Sequence, residues 1–305
     1  MRALVTGASG FVGRHVADAL RKDGAQVRDE RVELTDAAAV DRAIAGCETV
    51  FHVAALYAYD GPAARFEAVN VEGTRNVVEA CVRHGVRRLV FTSTAGTCGP
   101  VEGRAASEED GPPDWELTVP YKRTKLESER LVLAAARERL DAVVVNPTTP
   151  IGPGDDKPTP TGKMIAGVAR GRVRAYIGNT GLNVVDVRDV ARGHVLALER
   201  GRRGERYLLG GTDLDLGDLF ARVAIAAGRP APRLKIPYAI PQALAAVHLL
   251  NRHEVRLARM PMFFTSAKAA RELGYAPGPA DAAIAAAVQD VLGRRSLSAD
   301  PTGAS

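Results

Sequence analysis

The first half of the chain alternates short apolar runs with longer stretches whose apolar residues recur at helical spacing. Apolar runs predict strands at residues 3–6, 49–53, 88–93 and 142–146, and short extended segments at residues 26–28 and 32–34. The helical spacing predicts helices at residues 10–22, 37–45, 64–84 and 120–139. Asp36 is a good N-cap for the second helix, and Pro120 suits the first turn of the fourth because its missing N–H costs nothing there.

Strands this apolar, separated by helices, indicate a parallel sheet covered on both faces, which is a doubly wound α/β domain. The alternation ends after residue 150, where a loop rich in Pro and Gly begins. We therefore predict a sheet domain at residues 1–150 and a smaller lobe at residues 151–293. Residues 183–200 are expected to return to the first domain, and residues 294–305 to form a flexible tail.

Composition narrows the class of protein. Hydrophobic residues make up 46% of the 305 residues and charged residues 25%, which excludes a disordered chain. The formal net charge is +5, but Arg is interleaved with Asp and Glu, so no nucleic-acid partner is expected. The three cysteines form no CxxC pair, which predicts reduced thiols. The opening strand leaves no room for a signal peptide, and no apolar run is long enough to span a membrane, so we expect a cytoplasmic protein. No metal site is predicted.

A glycine-rich loop joins the first predicted strand to the first helix. Its glycines have GxxGxxG spacing, at Gly7, Gly10 and Gly13, with Phe11 and Val12 between the last two. Gly7 allows a tight turn, Gly10 lets the backbone approach a pyrophosphate at the helix N-terminus, and Gly13 lets the helix lie close to the sheet. The position between strand and helix, more than the spacing alone, predicts a dinucleotide site.

Tyr121 and Lys125 form a YxxxK pattern at the start of the fourth helix. Residues four apart share a helix face, so the phenol and the ammonium are expected to point into the same space. A nearby ammonium would lower the pKa of the phenol towards the working pH, as a general acid/base needs. The strand at residues 88–93 ends in hydroxyl residues, and Thr94 or Ser93 could bond a substrate oxygen beside the phenol.

These motifs, taken in order, resemble the extended short-chain dehydrogenase/reductases of the NAD-dependent epimerase/dehydratase group. The motifs are the glycine loop, Phe-His-Val-Ala-Ala at 51–55, Asn-Val-Glu-Gly-Thr at 70–74, Thr-Ser-Thr at 92–94, YxxxK and Asn-Pro at 146–147. The resemblance covers essentially the whole chain, and later segments are similar to hopanoid-associated sugar epimerases and dihydroflavonol reductases. It implies a Rossmann-type domain followed by a substrate-binding lobe.

The resemblance also implies a role for each matching residue. Tyr121 is the general acid/base, Lys125 holds the nicotinamide ribose and tunes the phenol, and Thr94 orients the substrate. The residues that the resemblance places at the cofactor are Gly7, Gly10, Phe11, Val12, Gly13, Ala54, Ala55, Tyr121, Lys125, Asn146, Pro147 and Thr149.

The choice between NAD and NADP depends on the residues after the second strand. An acidic residue there bonds the ribose 2′-hydroxyl of NAD, whereas Arg accepts the 2′-phosphate of NADP. Arg28, Asp29, Glu30 and Arg31 stand side by side in an unusually short segment, so both cofactors remain open. The two flanking arginines favour NADP, with NAD as the alternative.

We predict an NAD(P)-dependent oxidoreductase that transfers hydride at a carbinol or carbonyl carbon of a sugar-like or other small carbonyl substrate. A reductase delivers the hydride once, whereas a sugar epimerase returns it to the other face, and both remain open. The alternative from another class is a non-catalytic dinucleotide-binding sensor or scaffold. Residues 157–163 are either a substrate lid or a rigid linker. By analogy with the family, residues 64–84 and 120–139 would pair two copies as a homodimer.

Overall fold

The computed structural model describes residues 1–58 and 61–298, and strands alternate with helices through its first half. Its strands are β1 (Arg2–Thr6), β2 (Gln26–Arg28), β3 (Thr49–His52), β4 (Arg88–Thr92), β5 (Ala142–Pro147), β6 (Thr149–Ile151), β7 (Ala175–Ile177), β8 (Gly181–Asp186), β9 (Arg206–Leu209), β10 (Thr212–Asp215) and β11 (Leu234–Ile236). Its α-helices are α1 (Phe11–Lys22), α2 (Ala37–Ile44), α3 (Ala63–Phe66), α4 (Gly73–Arg83), α5 (Asp114–Leu117), α6 (Pro120–Glu138), α7 (Pro160–Ala169), α8 (Val187–Arg200), α9 (Leu216–Ala226), α10 (Ala239–Ala246), α11 (Arg252–Leu257), α12 (Ala267–Leu273) and α13 (Ala280–Ser298).

Six strands form one parallel sheet in the order β2-β1-β3-β4-β5-β9. Leu4 lies opposite Val50 on one side and Arg28 on the other, so the strand order changes direction at β1. Every residue of β5 is buried, because helices cover both faces of the sheet. This confirms the predicted doubly wound α/β fold. In such sheets ligands bind beyond the carboxyl ends of the strands where the order reverses, which here means the ends of β1 and β3.

The chain divides into two compact units. The first comprises residues 1–148, 188–210 and 262–276, and the second comprises residues 149–187, 211–261 and 277–305. The sequence analysis placed the first boundary two residues later, and it expected residues 183–200 to return. In the structure the returning segment is residues 188–210, and residues 262–276 also return to the first unit.

The second unit contains two small sheets. The order of the first is β10-β8-β6, with β10 antiparallel to β8, and β11 pairs with β7 in the second. Its core includes Ile165, Leu219, Phe220 and Ile284 from α7, α9 and α13. Within residues 157–163, Thr159 caps α7 by accepting a hydrogen bond from the Gly162 N–H.

Three local expectations differ from the structure. The predicted helix at residues 64–84 is interrupted by a π-helical segment, Glu67–Glu72, between α3 and α4. Residues 32–34 form no strand, and in this compact segment Leu34 is instead buried against Gly73. Of residues 294–305, the first five continue α13, and residues 299–305 lie outside the described part of the chain.

All three cysteines are free and buried in the first unit. Cys47 and Cys81 belong to the core that α2, α4 and the sheet share, and Cys98 lies with Phe264 in a smaller cluster. Burial raises the pKa of each thiol, and that of Cys98 reaches about 12. Their thiolate forms are therefore disfavoured at neutral pH.

Candidate active site

The glycine loop between β1 and α1 is packed too closely for side chains. Gly7 has a φ of +74°, and a Cβ there would lie 2.7 Å from the Cα of Ala54. A Cβ on Gly13 would lie 2.1 Å from the Gly7 carbonyl oxygen. Gly10 is the N-cap of α1 and supplies no side-chain cap, so the first-turn N–H groups between Phe11 and Gly13 are open to an acceptor from outside the helix. Such a helix terminus fits a pyrophosphate, as the sequence predicts.

The end of β3 lies against the same loop. Thr6 Oγ1 accepts a hydrogen bond of 3.3 Å from the Ala54 N–H, which ties the Ala54–Ala55 segment to the end of β1. The Thr6 hydroxyl also shares a hydrogen bond of 2.8 Å with His52 Nδ1, while His52 Nε2 shares one of 3.1 Å with Thr74. Burial lowers the pKa of His52 to about 3, with a smaller contribution from Lys125. A neutral, fully bonded imidazole in this position is a structural element of the cleft.

Tyr121 and Thr94 meet where β4 ends and α6 begins. The Thr94 side chain interacts with the phenol, and this interaction favours the phenolate. The dominant effect is opposite, because withdrawal from water raises the pKa of Tyr121 above its usual value, and Tyr57 adds to this. The sequence analysis expected the pKa to be lowered by Lys125, and this expectation is wrong for the structure described. The phenol is therefore protonated at neutral pH.

The Lys125 ammonium contacts the end of β4. Its Nζ donates a hydrogen bond of 2.7 Å to the Thr92 carbonyl and lies 4.3 Å from the centre of the Phe91 ring. Only 3% of Lys125 is exposed. Burial lowers its pKa to about 7, whereas the Glu129 carboxylate acts to raise it. Lys125 therefore changes charge close to physiological pH.

Glu129 is a buried carboxylate that the sequence analysis did not single out. It lies one helical turn beyond Lys125 on the same face of α6 and is 1% exposed. Its oxygens accept hydrogen bonds of 2.7 Å from the Thr97 hydroxyl, 2.8 Å from Asn146 Nδ2 and 2.8 Å from the Arg206 guanidinium. The four-residue spacing of Tyr121, Lys125 and Glu129 was the sequence signal that could have identified Glu129. Its hydrogen-bond partners, however, come from distant parts of the chain.

This carboxylate is linked to the turn that carries Thr94. Asn146 Nδ2 donates to the Thr94 carbonyl at 3.2 Å, and the Thr97 backbone N–H donates to the same carbonyl at 3.0 Å. The Arg206 guanidinium also donates to the carbonyls of Glu108 and Asp110. Glu129 and its partners therefore hold the backbone of Thr94 beside Tyr121.

The predicted cofactor residues at and after the end of β5 lie in different surroundings. Asn146 and Pro147 end β5, and the Asn146 amide nitrogen serves the Glu129 cluster. Thr149 begins β6 and belongs to the second unit. Ser93 Oγ and Thr148 Oγ1 are buried hydroxyls without a hydrogen-bond partner among the described residues. Thr148 was not in the predicted site, and both hydroxyls are available to a ligand.

An aromatic side chain lies beside the catalytic candidate. The ring centres of Tyr57 and Tyr121 are 4.7 Å apart, and Tyr57 is 42% exposed. Asn70, in the π-helical segment, accepts from the Leu56 N–H at 2.7 Å and donates to the Leu56 carbonyl and to Thr124. Asn70 thus fixes the segment before Tyr57 against α6.

A buried ion pair supports the Thr94 turn from the other side. Lys122 Nζ lies 3.6 Å from a carboxylate oxygen of Glu116, and burial raises the pKa of that carboxyl. A Cβ on Gly96 would lie 2.1 Å from Lys122 Nζ. Lys122 therefore packs directly on the backbone that follows Thr94, a contact that sequence spacing could not reveal.

The two candidate arginines lie at and after the end of β2. Arg28 ends the strand, pairs with Glu30 at 3.0 Å and donates to the Ala45 carbonyl. Asp29 pairs with Arg21 at 2.6 Å. Arg31 is exposed. Both acidic residues of this segment are therefore engaged with arginines.

Metal clusters and membrane-spanning helices are two features that the described residues do not contain. Within the described ranges 1–58 and 61–298, no three His, Cys, Asp or Glu side chains gather into a cluster that could hold a metal ion. None of the helices in that same part of the chain combines the length and apolar character needed to cross a membrane.

Comparison with known proteins identifies a family match. The family model described as the NAD dependent epimerase/dehydratase family matches residues 3–210. This match includes the glycine loop, the Thr94 turn, Tyr121 and Lys125, and it extends through β9. More than half of the chain is covered by one family.

Individual relatives match over nearly the whole length. "Sterol demethylase protein B" of Methylococcus capsulatus is 34% identical, with 94% of this chain and 97% of the relative covered. "2-alkyl-3-oxoalkanoate reductase" of Stenotrophomonas maltophilia is 31% identical, with 91% and 95% covered. Among solved structures, a nucleoside-diphosphate-sugar epimerase from Pseudomonas aeruginosa superposes with a TM-score of 0.82 at 26% identity, covering 96% of this chain and 98% of that one.

Proposed function

Because this chain belongs to the NAD-dependent epimerase/dehydratase family, and is therefore an NAD(P)-dependent oxidoreductase, we propose that it reduces a ketone or aldehyde. The relatives that are more than 30% identical include one named as a 3-oxoalkanoate reductase. The observation that carries the proposal is the protonated Tyr121 phenol beside the Thr94 hydroxyl at the end of β4. A proton donor at that point suits the reduction of a carbonyl, because the oxygen takes up a proton as the hydride arrives.

In this proposal each residue has one task. When bound, the nicotinamide cofactor supplies the hydride for the carbonyl carbon. Tyr121 donates the phenolic proton to the carbonyl oxygen, and Thr94 holds that oxygen by a hydrogen bond. Lys125, whose ammonium is bonded to the Thr92 carbonyl, would hold the nicotinamide ribose hydroxyls. Solvent then returns the proton to Tyr121.

The cofactor would be held by groups of the first unit that are accessible to a ligand. The first-turn N–H groups of α1, with Gly7, Gly10 and Gly13, would bind the pyrophosphate. Ala54 and Ala55 would line the adenosine side of the crevice. The unpartnered Ser93 and Thr148 hydroxyls and the unpartnered Asn146 Oδ1 are candidates for contacts near Tyr121, whereas Asn146 Nδ2 is engaged by Glu129.

The direct test is turnover with purified protein. NADPH and a panel of ketones and aldehydes, including 3-oxoalkanoates and sugars with a free carbonyl, should be mixed with the enzyme, and loss of NADPH absorbance followed. We expect consumption with at least one apolar ketone. Tightly retained NAD in denatured protein, together with no NADPH consumption, would point to an epimerase. Dinucleotide binding without turnover of any substrate would support the non-catalytic sensor or scaffold, and failure to bind either dinucleotide would contradict both readings.

We further propose that NADP is preferred over NAD. β2 ends at Arg28, where an acidic residue would serve NAD, and Asp29 and Glu30 are each paired with an arginine. Arg28→Ala and Arg31→Ala are each expected to raise the dissociation constant of NADPH by about fivefold or more, since a charge-assisted contact is lost. The NADH constant should change less than twofold. Fluorescence titration measures both, and equal changes for the two cofactors would contradict the assignment.

The buried ammonium predicts a pH dependence of cofactor binding. Lys125 is protonated below its pKa of about 7 and neutral above it. If the ammonium contacts the ribose, the affinity of wild-type protein relative to Lys125→Met should fall by about tenfold between pH 6 and pH 8, as the charge is lost. Because both proteins bind the same cofactor, the ratio of their dissociation constants at each pH removes the effect of titration of the cofactor's own phosphates. A constant ratio would show that the charge of Lys125 plays no part in binding.

Homodimer formation stays a prediction. A groove lies between α4 and α6, the helices expected to pair, and its lining mixes Glu and Arg side chains with small apolar ones, including Val71, Arg75, Glu127, Arg130 and Leu131.

A further inference from the structure

Exposed apolar side chains are concentrated in one segment of the second unit. Ile240 and Leu244 on α10, and Val247, Leu249 and Leu250 just after it, are between 38% and 70% exposed. We call these five residues the apolar patch. Ile240 and Leu244 are four apart, so they share one face of α10, and Val247 is the C-cap residue of that helix. A soluble surface seldom exposes so many large apolar groups together without a partner.

The end of the patch is its most exposed part. Val247 and Leu249 are 64% and 70% exposed, and His248 between them has a left-handed φ of +61°. The chain turns there and directs successive apolar side chains outward before Asn251 caps α11. Such exposed apolar side chains are suited to insertion into a deformable apolar medium.

The positive charge of the protein is located around the same segment. Residues 229–259 contain six arginines and lysines and one glutamate, a net charge of +5. The other 274 residues contain thirty-five basic and thirty-five acidic residues, so their formal charge is zero. The basic residues are Arg229, Arg233, Lys235, Arg252, Arg256 and Arg259. The whole net charge of the chain therefore flanks the apolar patch.

We propose that the apolar patch and these flanking basic residues dock the protein on an anionic phospholipid membrane, with the patch inserted at the level of the headgroups. Apolar insertion and attraction between basic side chains and anionic lipids are the two components of interfacial binding. A second copy of the chain fits less well, because a symmetric contact through the patch would bring two net-positive segments together. The inference does not depend on the proposed reaction.

The test is co-flotation of the purified full chain with lipid vesicles. Vesicles of phosphatidylcholine with about one-third phosphatidylglycerol should retain the protein at least about tenfold better than phosphatidylcholine alone, and about 0.5 M NaCl should abolish most of the difference. The variant V247S/L249S/L250S should bind the anionic vesicles at least about tenfold more weakly, since its apolar contribution is lost.

Matched controls separate docking from general effects. Ile225 on α9 is 76% exposed and lies outside the patch, so Ile225→Ser should bind as wild type does. R252E/R259E should lose anionic selectivity, whereas R42E/R87E, at exposed positions in the first unit, should keep most of it. Thermal transitions and NADPH binding check that each variant is folded.

Two results would overturn the proposal. One is equal vesicle binding by wild type and V247S/L249S/L250S. The other is absence of vesicle binding together with a lower mass in solution for that variant than for wild type, which would identify the patch as a contact between copies.

Discussion

Tyr121→Phe is expected to reduce kcat/KM by a factor of about 10² to 10⁴, the range that a positioned proton donor contributes. The substitution removes one oxygen and leaves the ring that packs 4.7 Å from Tyr57. Thr94 keeps its backbone bonds from Thr97 and Asn146, so the oxygen-binding hydroxyl stays in place. The loss should therefore fall on kcat, with the NADPH dissociation constant changed less than about threefold.

Steady-state kinetics with the substrate found in the turnover screen measures this effect. Tyr176→Phe, which alters a partly buried tyrosine of the second unit, is a matched control and should retain most activity. Undiminished kcat in Tyr121→Phe would mean that another group supplies the proton. Loss of NADPH binding together with turnover would instead indicate that the phenol acts mainly in holding the cofactor.

Glu129→Ala is expected to lower the free energy of unfolding by about 3–5 kcal/mol, the usual cost of removing one partner of a buried ion pair. The change would leave the Arg206 guanidinium facing a cavity, together with the Thr97 hydroxyl and the Asn146 amide. Glu129→Gln keeps the side-chain volume and one acceptor oxygen, so its loss should be smaller. Both variants should also reduce kcat, because the Thr94 turn loses an anchor.

Urea unfolding followed by circular dichroism gives both values. Glu138→Ala, at the exposed end of the same helix, should change stability by less than about 0.5 kcal/mol. If Glu129→Ala does not fold, the comparison of Glu129→Gln with Glu138→Ala still tests the argument. Equal stability of those two variants would show that the Glu129–Arg206 pair is energetically neutral.

The parts of the site that local sequence determines were predictable. The glycine loop and the YxxxK pair depend on contacts between residues close in sequence, and the structure places both at the carboxyl edge of the sheet. The roles of these residues stay predictions, but their positions agree with the fold that the pattern indicated. The same holds for the four apolar runs at residues 3–6, 49–53, 88–93 and 142–146, each of which differs from the observed strand by one residue, whereas residues 32–34 form no strand.

Features that depend on distant residues were not predictable. Glu129 is recognisable as an anchor only once Arg206, seventy-seven residues later, is known to reach it. The direction of the Tyr121 pKa shift depends on how fully water is excluded and on where the Lys125 ammonium points. Similarly, the break between α3 and α4 arises where Asn70 bonds the backbone of Leu56, a contact that helical periodicity does not encode.

The burial of all three thiols has a practical consequence for spectroscopy. Cys47, Cys81 and Cys98 are shielded from solvent and have raised pKa values, so maleimide reagents should leave the native protein unlabelled. Leu249→Cys would then provide one reactive position in an otherwise silent background. An environment-sensitive dye at that position would report directly whether the segment enters an apolar phase, and a spin label there would report its depth.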